Sequence, residues 1–136
     1  FDWLAQDGRG NVWLLGEEVR DYESDEPGAR RVSWAAGVDG AQPGIVMRAD
    51  MRSRDPYREA YAAGRMERMA RILRDDAEVT VPLGSFTDVL VTEAWSPLQP
   101  EVVVWTSYVR GGGPVREETV LGGAGQIELA SMTAAE

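Results

Sequence analysis

Histidine, cysteine and lysine are absent from this chain, and all fourteen basic residues are arginine. Their absence removes the usual neutral-pH base, the thiolate nucleophile, the Schiff-base amine and the two preferred zinc ligands. It also excludes a disulfide scaffold. Catalysis would therefore depend on a carboxylate with a raised pKa or on a tyrosine. We expect a protein that is not an enzyme and that has no catalytic residues, no cofactor and no metal.

The size and charge of the chain limit its class. With 136 residues it is long enough for one domain, and we expect a single β-rich domain over residues 1–130 with a frayed tail at 131–136. Its hydrophobic content of 43% and its five tryptophans exclude disorder. No apolar run reaches the roughly 18 residues of a membrane span. Because the net charge is −9, we expect no binding to nucleic acid or to anionic membranes.

Short apolar runs separated by turn residues predict a strand-rich fold. The loop Asp7–Asn11, which contains two glycines, separates two such runs and is typical of a hairpin. Val102–Val109 is β-branched and aromatic throughout, which makes it the strongest strand in the chain. Successive strands with short turns and no βαβ spacing favour an antiparallel meander. We predict a mainly β fold, a curved sheet or a partly closed barrel, that leaves room for one short helix.

One stretch, Tyr57–Leu73, fits two structures. Apolar residues at helical spacing, preceded by Asp55 and Pro56 as cap and first residue, predict a helix. Gly64 in the middle of the run argues against it, and the alternation of arginine with apolar residues along Arg68–Arg74 fits an exposed strand. Both structures remain open from the residues alone.

The segment Trp34–Gly44 is the best candidate for a binding site. It places Asp39 and Gln42 among small residues and next to a tryptophan, and small residues let a ligand come close. The alternative is a compact loop packed on the end of the sheet. Tryptophans can line an apolar pocket, although ordinary core packing is their commoner role. We predict ligand contacts from Trp13, Trp34, Asp39 and Gln42.

Other polar patterns have simpler explanations. The Asp7–Asn11 loop lacks the acidic spacing of a calcium site, so a plain hairpin turn is favoured. The acidic run Glu17–Glu26 favours a solvated strand edge and loop, and the alternative is a cation-binding site. Adjacent acidic pairs point to opposite faces of a strand and so share no site. The glycine loops Gly111–Pro114 and Gly122–Gly125 lack the spacing and the lysine of a phosphate loop.

Three blocks of sequence carry a resemblance to a known family. These blocks are Asp2–Asp7 with Gly10–Glu17, then Ser33–Met47, and then Val79–Phe86 leading to Ser96–Leu98. Together they resemble an uncharacterised family of secreted or lipid-anchored bacterial β-rich proteins of unknown function. The resemblance implies an extracytoplasmic location, with a signal peptide and further strands before the segment that starts here. It favours a strand for Met66–Leu73, although the arginine-rich stretch Arg65–Arg74 departs from the family pattern.

These observations lead to one function and two alternatives. We expect a non-catalytic extracytoplasmic protein that binds an apolar or amphipathic small molecule. One alternative is a small-barrel enzyme of the cyclase or isomerase type, which would use carboxylate or tyrosine groups. The other is a structural module of the cell envelope. The chain opens on Phe1 within what reads as a strand, so we expect that a preceding segment was removed. An unprotected first strand invites a homodimer through its edge.

Overall fold

The computed structural model describes residues 1–18 and 33–132. Within these ranges the chain forms ten β-strands and no helix, so the predicted mainly β, antiparallel class is confirmed. Neither of the two sheets that these residues form closes into a barrel. Most of the acidic run, residues 19–26, and the last four residues of the tail lie outside the described ranges. No helix in the described ranges is long and apolar enough to cross a membrane.

The described residues group into two compact units. The first contains those of Phe1–Ala49 and Tyr57–Met69, and the second contains Asp50–Pro56 and the described residues from Ala70 onward. The strands, in chain order, are β1 (Asp2–Gln6), β2 (Val12–Glu17), β3 (Trp34–Ala35), β4 (Gly44–Met47), β5 (Tyr57–Ala62), β6 (Met66–Val81), β7 (Gly84–Ser96), β8 (Gln99–Val109), β9 (Gly113–Leu121) and β10 (Gln126–Glu128).

The first unit is organised around β2. Strand β1 pairs antiparallel with one edge of β2, which confirms the predicted hairpin. Two short strands share the other edge: β3 lies opposite Gly16 and Glu17, and β4 lies opposite Val12–Leu14. A bridge between Gln42 and Tyr61 connects the segment before β4 to β5. Backbone hydrogen bonds thus connect β1, β3 and β4 directly to β2.

Strands β5 to β10 follow one another in a meander, in the order β10-β9-β8-β7-β6-β5. The stretch Tyr57–Leu73 therefore forms strands, and the helical alternative is wrong. Gly64 takes a left-handed φ of 67° in the turn between β5 and β6, where the Arg65 N–H donates to the carbonyl of Ala62. This conformation is favourable for glycine and ends one strand before the next begins. Pairing between neighbouring strands overrides the helical propensity of the stretch.

Each unit has its own apolar core. In the first unit, Leu14, Trp34 and three alanines are buried, with Val46 and Met66 packed against them. In the second, six buried residues form the centre, namely Ala77, Val79, Val81, Val89, Val91 and Val115. The β-branched residues favour strands and fill a sheet face without polar atoms.

A polar network lies beside the core of the second unit. The Glu93 carboxylate on β7 accepts hydrogen bonds from the Arg71 guanidinium and, at 2.9 Å, from the Trp105 indole. The shortest distance between Arg71 and Glu93 is 2.7 Å. Glu93 and Trp105 are cross-strand partners of β7 and β8, so pairing register brings them together. The Arg71 guanidinium and the Trp105 indole thus share the Glu93 carboxylate as their hydrogen-bond acceptor.

Candidate ligand-binding site

Trp34 is the predicted site residue with the most informative position. It lies in β3, is 5% exposed, and packs in the core of the first unit with Ala41, Ala60 and Ala62. Its indole Nε1 is buried and has no hydrogen-bond partner among the residues that the structure describes. A buried tryptophan N–H normally finds an acceptor, since burying a donor without one costs free energy.

Glu17 lies directly opposite Trp34 in the β2–β3 ladder. Side chains of directly opposed residues share one face of a sheet, with Cβ atoms about 5 Å apart. The close approach of β3 to β2 depends on Gly16, because a Cβ there would lie 2.7 Å from the Trp34 carbonyl oxygen. The sequence therefore places a carboxylate beside the indole through a glycine that lets two strands meet.

Arg68 on β6 connects Glu17 to a second carboxylate. Its Nη1 lies 3.6 Å from Glu17 Oε2, and its Nε lies 3.2 Å from Glu59 Oε2. The side chains of Glu17 and Glu59 are mostly buried, and Arg68 is about one-third exposed, 32%. Although these distances are those of ion pairs, Glu17 Oε2 and Arg68 Nε are buried without a hydrogen bond. We call Glu17, Trp34, Glu59 and Arg68 the Trp34 cluster.

Strand β2 has a β-bulge at Leu15, because Trp3 of β1 lies opposite Gly16 whereas Leu4 lies opposite Leu14. The bulge interrupts the alternation of side chains between Leu14 and Glu17, and Leu14 lies in the same core as Trp34. Leu15 is exposed, and its carbonyl accepts the Ala36 N–H at 2.7 Å, just after β3.

Asp39 stands at the tip of the loop that follows β3. It adopts a left-handed φ of 49°, and its carboxylate is 3.9 Å from Arg65 Nη1. The other terminal nitrogen of Arg65 donates to the Ser33 carbonyl at 3.1 Å. Within the loop, the Ala41 N–H donates to the Val38 carbonyl. Asp39 is exposed, so its place is the rim of the loop and not its interior.

Gln42 is held on β5. Its backbone N–H donates to the Tyr61 carbonyl at 2.8 Å, and its side-chain oxygen accepts a hydrogen bond from Arg58 Nη1 at 3.1 Å. The guanidinium of Arg58 lies 4.0 Å from the centre of the Tyr61 ring, a cation–π contact. Gln42 therefore orders the junction of the loop with β5.

Trp13 has a partner of its own in the β1–β2 hairpin. Its Nε1 donates to Asp7 Oδ2 at 2.9 Å, and the same carboxylate accepts hydrogen bonds from the Asn11 side chain and from the backbone N–H groups of Arg9 and Asn11. These bonds, first that of the indole, hold the pKa of the Asp7 carboxyl well below its usual range. Asn11 in turn accepts the Ala49 N–H. Both carboxylate oxygens of Asp7 thus accept hydrogen bonds that stabilise the hairpin turn.

The four predicted residues thus have four different environments. Trp34 lies in the core, Asp39 lies at a loop tip, and Gln42 lies against β5. Trp13 is hydrogen-bonded to Asp7 within the β1–β2 hairpin. Sequence reasoning missed the charged members of the Trp34 cluster, because Glu17 lies on β2 whereas Glu59 and Arg68 lie on the neighbouring strands β5 and β6. Their one signal was the placement of charged residues within otherwise apolar strand patterns.

Comparison with protein-family models, curated proteins and solved structures finds no match for the chain. In residues 1–18 and 33–132, no group of three or more acidic side chains is arranged to hold a metal ion.

Proposed function

We propose that this protein binds a small amphipathic molecule at the Trp34 cluster and does not transform it. One observation carries the proposal: the indole N–H of Trp34 is more than nine-tenths buried and lacks a hydrogen-bond acceptor. A ligand atom that accepts this hydrogen bond would remove the cost of the orphaned donor. The Glu17 carboxylate, which lies directly opposite Trp34 in the β2–β3 ladder, would lie beside the same polar head.

The apolar part of the ligand would lie on the loop that follows β3, where the Val38 side chain is exposed. The Val38 N–H donates to the carbonyl of Ala35, so the loop stays close to β3. Burying apolar ligand surface on this side chain contributes about 25 cal/mol per Å². Asp39 and Gln42 would then order the loop that borders the ligand.

The remaining parts of the proposal rest on composition and resemblance. The absence of histidine, cysteine and lysine favours binding over catalysis. The resemblance to secreted or lipid-anchored β-rich proteins favours a location outside the cytoplasm. A net charge of −9 makes nucleic acid an unfavourable partner.

Native mass spectrometry of freshly purified protein tests the proposal. We expect a population with the added mass of a small molecule, and we expect W34F to lose it because phenylalanine keeps a ring but has no N–H donor. The control is W95F, which removes an indole from β7 in the second unit. An empty wild-type protein, or equal retention of the added mass in both variants, contradicts the proposal.

A second proposal concerns the partner of β1. All five residues of β1 are exposed, and in the described ranges β1 pairs on one edge only, with β2. An antiparallel pair of two β1 strands centred on Leu4 would place Trp3 opposite Ala5 and Asp2 opposite Gln6. No like charges face each other in this register, and the apolar side chains meet. We propose that two copies form a homodimer through β1.

Light scattering after size-exclusion chromatography measures this dimer. We expect L4K to shift the wild-type dimer to a monomer, since two lysines would face each other across the symmetry axis. L98K is the control, because Leu98 is exposed to a similar degree in the turn between β7 and β8. A monomeric wild-type protein at high concentration rules out the homodimer.

A further inference from the structure

The indole N–H of Trp34 is closed off from solvent. Trp34 is 5% exposed, and a ligand atom must come within about 3 Å of Nε1 to accept its hydrogen bond. A ligand therefore reaches this donor only when part of the first unit moves. Of the described residues in this core, Ala41 alone lies outside a strand. The other members belong to paired strands, so the loop that carries Ala41 is the part that can move at the lowest cost.

This loop, residues 36–41, is anchored at both ends and is otherwise closed on itself. The Ala36 N–H donates to a carbonyl of β2, and the N–H that follows the loop, that of Gln42, donates to a carbonyl of β5. Between these anchors, the Gly37 N–H donates to the Ala41 carbonyl at 2.9 Å. Gly37 has a left-handed φ of 84° in open space, so it can serve as a hinge about which the loop moves as one body. We call residues 36–41 the Asp39 loop.

Arg65, in the turn between β5 and β6, ties the tip of the Asp39 loop to its base. Its Nη2 donates to the Ser33 carbonyl at 3.1 Å, and its Nη1 lies 3.9 Å from Asp39 Oδ2. Ser33 directly precedes Trp34, so one guanidinium contacts both the start of this segment and the tip of the loop. The side chains of Arg65 and Asp39 are more than half exposed, and such an ion pair stabilises only weakly. A weak contact opens readily, as a lid requires.

We propose that the Asp39 loop is a lid over the Trp34 indole and that Arg65 is the latch that keeps it closed. The proposal rests on the proposed function, because it concerns how a ligand reaches the same donor. When the latch opens, the loop turns about Gly37, Ala41 leaves the core, and the indole N–H becomes accessible. A ligand that accepts this hydrogen bond then lies against Val38, whose exposed side chain belongs to the same loop.

Hydrogen exchange of the indole N–H groups, followed by NMR in deuterated buffer, measures the opening without a ligand. A buried N–H exchanges in proportion to the population of the open state when closing is faster than exchange. The Trp34 signal is assigned by its absence in W34F. We expect D39N to speed its exchange about twofold to fivefold, the range for loss of an exposed ion pair. Asparagine tolerates the left-handed φ at this position, so D39N keeps the turn.

R65Q removes both contacts of the latch, so we expect it to speed the exchange of the Trp34 indole more than D39N does. The matched control is R54Q in the second unit. Arg54 makes the same two kinds of contact, since its Nη1 donates to the Met51 carbonyl and its Nη2 donates to Asp75 Oδ1. We expect R54Q to leave the Trp34 exchange unchanged.

Two further readouts show whether the opening is local and electrostatic. The Trp13 indole, which donates to Asp7 in the same unit, should exchange at the same rate in R65Q and in the wild-type protein. Raising the salt from about 0.01 M to about 1 M shortens the screening length from about 30 Å to about 3 Å. This change should speed the Trp34 exchange of the wild-type protein but not that of R65Q, which has no ion pair to screen.

The outcomes separate the lid from the proposed function. Unchanged Trp34 exchange in R65Q and D39N overturns the lid, and so does an equal acceleration at Trp13, which would mean that the whole unit opens. If the wild-type protein carries an added mass in native mass spectrometry, either result leaves the binding site in place and shows that the lid alone is wrong. Faster Trp34 exchange in both variants of a protein that carries no added mass supports the opening of the loop and rejects the proposed function.

Discussion

Gly44 is a position where one added methyl group should lower the stability of the protein strongly. It is the first residue of β4, is buried, and lies against the backbone of β5. A Cβ atom there would overlap the carbonyl group of Glu59 and lie 2.8 Å from the backbone nitrogen of Ala60. Backbone atoms within a paired strand cannot rotate away as a side chain can, so β4 and β5 would have to separate.

The expected cost follows from this geometry. Overpacking a buried position costs 1–3 kcal/mol, and a clash with backbone belongs at the upper end, so we expect G44A to lose about 3 kcal/mol. For a chain of this length that loss lowers the melting temperature by roughly 10 °C. Thermal unfolding followed by far-UV circular dichroism, together with urea unfolding, measures both quantities.

The matched control is G8A in the β1–β2 hairpin. A Cβ on Gly8 would have no atom within 4 Å, and its φ is not in the left-handed region. We expect G8A to be neutral or to gain up to about 1 kcal/mol through the lower entropy of the unfolded chain. If G44A melts within a degree of G8A, the close approach of β4 to β5 is wrong. Since Glu59 belongs to the Trp34 cluster, G44A should also lower the fraction of protein that carries the added mass in native mass spectrometry.

Three further substitutions test other parts of the fold. The folded-state pKa of Asp7 lies below its unfolded value of about 3.9, so its stabilising contribution is present above that pH and is lost as the pH falls toward the folded value. The melting temperature of D7N should therefore lie below that of wild type at pH 7, and the difference should shrink below about pH 4. The control D2N should melt with wild type at both pH values. A D7N difference that does not change with pH refutes the stabilising role of the Asp7 carboxylate. V89A, at a fully buried position in the core of the second unit, should lower the free energy of unfolding in urea by about 2 kcal/mol. The control V120A, at a 43% exposed position, should lower it by less than about 0.5 kcal/mol. Equal losses would contradict the burial of Val89. E93A should cost about 1–3 kcal/mol in the same assay because it leaves the indole and the guanidinium that it binds without their acceptor, and an unchanged stability would show that this network contributes nothing.

Local patterns predicted most of the strands and part of the candidate site. The Asp7–Asn11 loop predicted a hairpin, and the β-branched stretch Val102–Val109 predicted the strongest strand of the chain; the hairpin and a strand there are both present. Gly64 was the residue that argued against a helix, and it forms the turn that separates β5 from β6. Trp34 was identified as a site residue because of its neighbours in the sequence, whereas its buried, orphaned N–H became visible only in the fold.

The charged part of the site could not be predicted in the same way. Glu17, Glu59 and Arg68 lie on different strands, and the pairing that brings them together depends on register. A shift of one residue would turn any of these side chains to the opposite face. Asp7 illustrates the same limit, since its role depends on a hydrogen bond from Trp13 across the turn.

The sequence by itself determined what chemistry is open to this protein and that it folds as antiparallel strands, because composition and alternation are properties of the chain. Only the tertiary structure decided that Gly16 lets Trp34 come next to Glu17, and that Arg68 lies between two carboxylates. Those contacts join residues far apart along the chain. Strand register and close backbone approach, which no local pattern encodes, bring them together.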